Sequence, residues 1–590
     1  MRRRSQKTDG LAKRFIWLRI GFFLVAGMIT SRLFYWQVLA ADKLQAIAEV
    51  QQTTTIEIPS SRGRILAEDG FPIVANQPAY LVYADLPKLE EKPEVMSEKL
   101  ASLLAPSPEE MKATASAALV DELRLSTQQT LLNKFTTTRL AWVILKRSVA
   151  AEIKEAVEKL GFAGIGFEET SARFYPEASM AAQLTGFLGS DETGRSTGYF
   201  GLEGFYNLEL TGRPGLVRQE IDALGRPITV GRFEDVSPRT GRDLRTYLNR
   251  GIQWLAEQKL EEALKKYGAS SGEVVIMDPK TGGLVALASL PGYDQAFYQK
   301  FDSNLYRLPS IADTYEPGST FKVIVMSAAL EEGVVAPETT CDEPCRGRVV
   351  IGPYTIRTWN DEYHPGQTTA EILERSDNVG MVFVGQKLGK EKFVDYIRRF
   401  GFGEATNVDL DGEAVPKLRE RWGDIDLATG SFGQGLAVTS LQMLRAVAAL
   451  ANGGKLMEPH VVKEVIGEEI QAVSPKVVRQ VVSEKTARSI TEMMVASVKS
   501  GEAQWTQLRG YRIAGKTGTA QIPIAGHYDE EKTIASFVGF APADDPKFVM
   551  LVKLREPTIS PWAAETAAPL WMEIAKELFF YLNIPPENNE

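Results

Sequence analysis

From Phe15 to about Leu39 the chain is apolar almost without interruption, and Arg2, Arg3, Arg4, Lys7, Lys13 and Arg14 stand before it. At about 1.5 Å per helical residue this run is long enough to cross a bilayer core of about 30 Å. The basic residues on its N-terminal side predict that this end stays in the cytoplasm and that the rest of the chain lies outside the inner (cytoplasmic) membrane. Arg19 and Arg32 sit toward the two ends, where long side chains reach the headgroups, and Tyr35 and Trp36 suit the outer interface. Val38-Leu39-Ala40 could pass as a signal-peptide cleavage site, but the bulky, charged approach through Arg32, Phe34, Tyr35 and Trp36 favours an uncleaved anchor.

A chain of 590 residues is too long for one core and predicts two to four folded units. Its 44% hydrophobic and 24% charged residues are globular values, which excludes wholesale disorder. The net charge of -9 argues against a nucleic-acid partner. His364, His460 and His527 are far apart in sequence, so no metal-ligand cluster is visible, and no metal or cofactor is expected. Outside the membrane, Cys341 and Cys345 either close a small disulfide loop or remain two thiols. Their spacing is not that of a redox-catalytic Cys-x-x-Cys.

Beyond the anchor, Gln51 to Ile58 alternates like an exposed strand and leads into Ser61-Arg62-Gly63-Arg64-Ile65-Leu66 and a turn at Asp69-Gly70. Lys88 to Leu160, rich in Ala, Leu, Glu and Lys, predicts several surface helices, and Gly161 to Gly215 carries short strand-like runs. The composition changes near Pro238 to Asp243, which divides the extracytoplasmic portion into residues 40–238 and 239–590. The second part opens with apolar strands Glu273 to Met277 and Leu284 to Ser289 around a turn at 278–283. It closes with strands Ile534 to Phe540 and Phe548 to Leu554 and an amphipathic helix from about Trp562 to Tyr581. First and last elements of this kind commonly share one sheet with helices packed on it.

Three short motifs fall in order within that part. Pro317-Gly318-Ser319-Thr320-Phe321-Lys322 precedes an apolar run and reads as a helix start. Residues three apart share a helix face, which brings the Lys322 amine within reach of the Ser319 hydroxyl. Serine needs a base to become a nucleophile, and a lysine serves when burial and nearby cations lower its pKa. In Ser376-Asp377-Asn378, Ser376 can shuttle a proton, while Asn378 can hold the lysine or a substrate amide. In Lys516-Thr517-Gly518-Thr519, Lys516 supplies positive charge and Thr517 and Thr519 supply hydroxyls for a carboxylate. Gly518 allows a strand edge and a substrate backbone to approach closely. Taken singly, each motif has an ordinary reading as a cap, a polar turn or a glycine-containing strand. In order and at domain-scale spacing they form the set of the β-lactamases and penicillin-binding proteins.

With these motifs the chain resembles the class B penicillin-binding proteins, over nearly its whole length. Arg62-Gly63-Arg64-Ile65 with Asp69-Gly70, Arg173-Phe174-Tyr175-Pro176 and Gly201-Leu202-Glu203 resemble the pedestal motifs of that family. Trp359-Asn360, Phe400-Gly401-Phe402-Gly403 and the segment Phe432 to Gln442 resemble its catalytic-domain motifs, closer to the division-type branch than to the elongation type. Ala181-Ala182-Gln183-Leu184 departs from a frequent pattern with histidine, which touches no catalytic step. The resemblance implies an α+β multidomain fold. Its expected parts are a tail 1–14, an anchor 15–39, an elongated pedestal (dimerisation) domain 40–238 and a transpeptidase domain 239–590 with a β-lactamase-like antiparallel sheet flanked by helices.

It further implies a D,D-transpeptidase acting on stem peptides that end in D-Ala-D-Ala and acylated by β-lactams. Ser319 would be the nucleophile, Lys322 the base, and Ser376 and Asn378 aids to proton transfer and alignment. Lys516, Thr517, Gly518 and Thr519 would bind substrate, with the backbone N–H groups of Ser319 and Thr519 as oxyanion hole. No glycosyltransferase segment is visible before residue 240, so a SEDS-family polymerase and divisome membrane proteins are the expected partners. A β-lactamase would need a base for water. Glu413 is the candidate in the sequence, but the residues after it, Ala414 to Leu418, do not fit a class A deacylation motif.

Overall fold

The apolar run forms one helix, Gln6–Phe34, which continues as a π-helical turn, Tyr35–Leu39, and is long and apolar enough to cross a membrane. At its C-terminal end the Arg32 guanidinium stands 5.2 Å from the centre of the Trp36 ring, within cation–π distance. The computed structural model describes residues 6–58, 60–105, 117–137, 141–192, 195–220, 228, 233–524 and 527–587. The chain divides into two compact units, Met1–Ser60 with Gly212–Thr240, and Ser61–Thr211 with Gly241–Glu590. In the first, a helix at Ala41–Gln52 delays the expected strand to Thr53–Ile58. That strand pairs antiparallel with Gly215–Glu220, which pairs in turn with Phe233–Val236.

In the second unit the long strand Pro72–Asp85 pairs with both Trp142–Val149 and Ile165–Phe174. Helices Pro93–Leu104, Ala117–Thr137 and Ala151–Glu158 accompany this sheet. Met96, Leu100, Leu131 and Phe135 pack with Val82, Ala84 and Leu145 into a core of its own. The same sheet continues through Ile65–Leu66 to Asp243–Thr246 and then Val462–Ile466, so the segment after Arg62 ties early and late parts of the chain together. Gly63 permits this join, because a Cβ there would stand 1.8 Å from the Arg242 carbonyl oxygen.

Three sequence motifs far apart in the chain meet at this join. Glu203, with its side chain fully buried, accepts from Arg62 Nε at 2.7 Å and from Arg173 Nε at 2.7 Å. Arg62 also donates to Asn207 and Thr211, Arg173 donates to Asn76, and Asn76 donates back to the Arg62 carbonyl.

The segment after residue 270 builds a five-stranded antiparallel sheet of β1 (Ser271–Met277), β2 (Leu284–Leu290), β3 (Ala514–Ile524), β4 (His527–Ala541) and β5 (Phe548–Arg555), ordered β2-β1-β5-β4-β3. Val274 and Ile276 face a core shared with helices Arg250–Tyr267 and Ala567–Tyr581, while Val275 and Met277 face the other core with Val323 to Met326. Two covered faces explain why these strands read as apolar runs rather than alternating ones. The C-terminal helix begins at Ala567, five residues later than its apolar pattern suggests, because Trp562 to Thr566 form a turn beside β3. Cys341 and Cys345 form a disulfide with a Cα–Cα distance of 5.7 Å.

Candidate active site

Ser319 lies in a 3-10 turn, Gly318–Phe321, that runs directly into the helix Lys322–Glu331. Two contacts fix the turn. Thr320 Oγ1 donates to the Pro317 carbonyl at 2.7 Å, and the Gly318 N–H donates to the Gly433 carbonyl at 3.0 Å. Gly433 has φ +82 and lies so close that a Cβ on it would stand 2.1 Å from the Gly318 oxygen. The Phe432-Gly433-Gln434-Gly435 segment is thus a backbone brace for the serine turn. The helix that follows is buried on every side from Lys322 to Ala329, so the amine at its start is taken out of water.

The lysine amine meets the second motif. Lys322 Nζ donates to the Ser376 carbonyl at 2.5 Å, to Ser376 Oγ at 3.3 Å and to Asn378 Oδ1 at 2.8 Å. Among the described residues it makes no hydrogen bond to Ser319, so in this state the amine is held by Ser376 and Asn378. Ser376 has φ +57, an uncommon conformation for a residue with a side chain. It links Arg375, which ends the helix Thr369–Glu374, to Asp377, which starts the helix Asn378–Leu388 by accepting the Gly380 N–H as N-cap and also receives the Gln367 side-chain amide.

The third motif lies on β3, the edge strand of the sheet, and an edge leaves backbone groups open to an extended ligand. Gly518 is where β3 touches the serine turn. A Cβ there would lie 2.7 Å from Thr320 Cγ2 and 2.9 Å from the Pro317 oxygen. Lys516, 1% exposed, donates to Thr517 Oγ1 at 3.0 Å, and Thr517 Oγ1 donates to Glu502 Oε2 at 2.8 Å. The Thr517 proton is therefore committed to Glu502. Thr519 differs, since its Oγ1 accepts the Ala563 N–H at 3.0 Å and its own proton is left to donate.

Burial drives the Lys322 pKa down to about 7, and the charge of Lys516 pushes the same way, with Glu502 and Asp377 partly opposing. Burial also lowers Lys516, and Glu502 again opposes. A cleft brings together Ser319, Ser376, Asn378, Thr519, Gln434 and Glu502, with Trp359 and Trp562 at its sides. The two indole rings stand 5.5 Å apart at 60°. The three motifs therefore converge on one cleft, with Lys322 and Lys516 buried behind it. Glu502 and Trp562 carry no local signal, since each lies in a turn of ordinary composition. Glu413 is elsewhere engaged, accepting the Thr406 N–H at 2.6 Å.

Residues 272–578 match the penicillin binding protein transpeptidase domain, and residues 57–246 match the penicillin-binding protein dimerisation domain. The chain is 33% identical over 588 residues to stage V sporulation protein D of Bacillus subtilis, covering 98% of this chain and 87% of the relative.

The chain belongs to the class B penicillin-binding proteins.

Similarity within this family extends to the peptidoglycan D,D-transpeptidase FtsI of Escherichia coli, 29% identical over 598 residues, with 99% of this chain and 95% of the relative covered. A crystal structure of a peptidoglycan synthetase from Bifidobacterium adolescentis superposes with a TM-score of 0.70 at 25% identity, over 91% of this chain and 98% of that one. As a class B penicillin-binding protein, the chain combines a transpeptidase domain with a dimerisation domain and one N-terminal apolar helix that fits a single-pass anchor.

Proposed function

We propose that this chain is a peptidoglycan D,D-transpeptidase that cross-links stem peptides through an acyl-enzyme on Ser319 and serves wall synthesis at division. The observation that carries the reading is the Lys322 amine. It is fully buried, bound to Ser376 and Asn378, and has a pKa of about 7, so a fraction large enough for base catalysis is neutral at working pH.

In the first half-reaction Ser319 Oγ attacks the carbonyl of the penultimate D-alanine while Lys322 takes the hydroxyl proton. The backbone N–H groups of Ser319 and Thr519 steady the oxyanion. The peptide bond breaks, the proton passes through Ser376 to the departing amine, and terminal D-alanine leaves. Lys516 and the free hydroxyl proton of Thr519 hold the terminal carboxylate during this step. Thr517 supports Lys516, and Gly518 keeps the strand close to the serine. In the second half-reaction the side-chain amine of a neighbouring stem attacks the ester, a new amide forms, and Ser319 recovers its proton. The energy of the broken peptide bond is retained in the ester, so no further activation is required.

In this reading residues 40–238 are the pedestal and 239–590 the transpeptidase domain. The span 15–39 crosses the inner membrane with residues 1–14 in the cytoplasm, and a SEDS-family polymerase with divisome membrane proteins supplies the glycan strands. Fluorescent penicillin tests the central claim. The intact protein should take a stable label that Ser319→Ala loses. Rapid release of the label would point to a hydrolase, and labelling of the alanine variant would reject Ser319 as the nucleophile.

A further inference from the structure

Glu502 stands in the turn after the helix Glu484–Ser500, fourteen residues before Lys516, and none of the catalytic motifs includes it. Yet it lines the same cleft as Ser319, Ser376, Asn378 and Thr519. Its carboxylate accepts the Thr517 hydroxyl at 2.8 Å, and that hydroxyl accepts from Lys516 Nζ at 3.0 Å, which makes a bridged ion pair of Lys516, Thr517 and Glu502. The turn itself is tightly seated, because a Cβ on Gly501 would lie 2.6 Å from the Glu374 carbonyl and 2.3 Å from the Ser497 carbonyl. Close packing on both sides of the glycine holds the Glu502 carboxylate at the strand.

We propose that Glu502 is a positioning residue of the transpeptidase site, which orients Thr517 and Lys516 through the hydroxyl bridge and supplies the anion that balances two buried lysines. The inference rests on the transpeptidase reading above.

Two ammonium groups buried in one site repel each other, and a productive site needs them in different states. Lys322 must be neutral to accept the Ser319 proton, and Lys516 must stay charged to hold a carboxylate. The charges acting on Lys322 are Lys516 from β3, Glu502 from the turn and Asp377 from the start of the helix Asn378–Leu388. On Lys516 the acting charge is Glu502. Asp377 is already engaged by the Gly380 N–H and the Gln367 amide, so Glu502 is the anion that reaches both lysines. Because the two lysines titrate as a pair, removing that anion lowers both apparent pKa values of the pair.

The pH profile of acylation by a chromogenic cephalosporin, measured on the full-length protein in detergent, tests this. Glu502→Gln and Glu502→Ala should both move the acidic and the basic limbs to lower pH, by about one unit. At a pH well up the basic limb of the wild type, their rates relative to their own maxima should be roughly tenfold below the wild type's. Glu502→Asp keeps the charge but draws it back from Thr517. Its limbs should stay near those of the wild type while the half-saturating concentration rises. Limbs that do not move in the neutral variants, with rates merely scaled down at every pH, would overturn the proposal. Since Ser319-dependent labelling persists in that outcome, the transpeptidase reading would survive it. Loss of labelling in both Ser319→Ala and wild type would instead remove the reading itself. Melting curves identify a variant that fails to fold, and the remaining neutral variant then decides.

Discussion

Replacing Glu203 by glutamine should be among the most damaging single changes outside the active site. Glu203 has no exposed side-chain surface, and the side chains of its partners Arg62 and Arg173 are 7% and 5% exposed. Burial lowers the Arg62 pKa, with Glu203 opposing and the nearby Arg173 charge adding to the fall. Two guanidiniums therefore share one carboxylate, and one nitrogen of Arg173 already lacks a partner among the described residues. Removing the anion leaves two buried cations face to face, a change that costs about 3–5 kcal/mol. In a unit as large as Ser61–Thr211 with Gly241–Glu590 each kcal/mol moves the melting temperature by about 1 °C, so its thermal transition should fall by roughly 3–5 °C. Differential scanning calorimetry of the full-length protein in detergent reads this directly, with limited proteolysis between Arg62 and Thr211 as a second probe.

The triple variant Arg62→Met, Arg173→Met, Glu203→Leu removes all three charges together. Apolar side chains of similar size need no counter-charge, and Asn207 and Thr211 keep each other as partners at 3.2 Å. The triple variant should therefore recover most of the loss. A Glu203→Gln protein that melts within about 2 °C of the wild type would refute the charge argument. So would a triple variant as unstable as the single one.

Two further outcomes follow from the site. With the Lys322 pKa lowered by burial to about 7, acylation should rise with pH through that value, because only the free amine accepts the Ser319 proton. Relative to the plateau, the rate at pH 6 should be about one tenth and at pH 5 about one hundredth. Stopped-flow acylation that stays flat between pH 5 and 8 would contradict this. Gly518→Ala should push β3 away from the serine turn, since the new methyl carbon meets Thr320 Cγ2 at 2.7 Å and the Pro317 oxygen at 2.9 Å. Acylation should drop by about a hundredfold, equivalent to roughly 3 kcal/mol in the transition state, while the melting temperature changes little. Equal losses in rate and stability would indicate a general packing defect instead.

Much of this protein is legible without coordinates because its strongest signals are local. An apolar helix behind basic residues, a hairpin from Ser271 to Leu290, and Ser319 with Lys322 at a helix start each depend on residues a few positions apart. The ordered motifs at Ser319, Ser376 and Lys516 are legible for the same reason, and their resemblance to one family supplied the chemistry.

Other features depend on which distant residues meet, and spacing carries no record of that. The pedestal motifs at Arg62, Arg173 and Glu203 stand out separately, but only folding places one carboxylate between two guanidiniums 30 and 141 residues away. Cys341 and Cys345 left two states open until the loop between them brought the sulfurs together. The lysine at position 322 is an ordinary cation in sequence, and it becomes a base only because the helix it begins is buried on every side. Glu502 belongs wholly to this second class. A carboxylate acts on two lysines through space, across a low-dielectric interior, and that interaction exists only once β3, the serine turn and the Ser376 turn have closed around it.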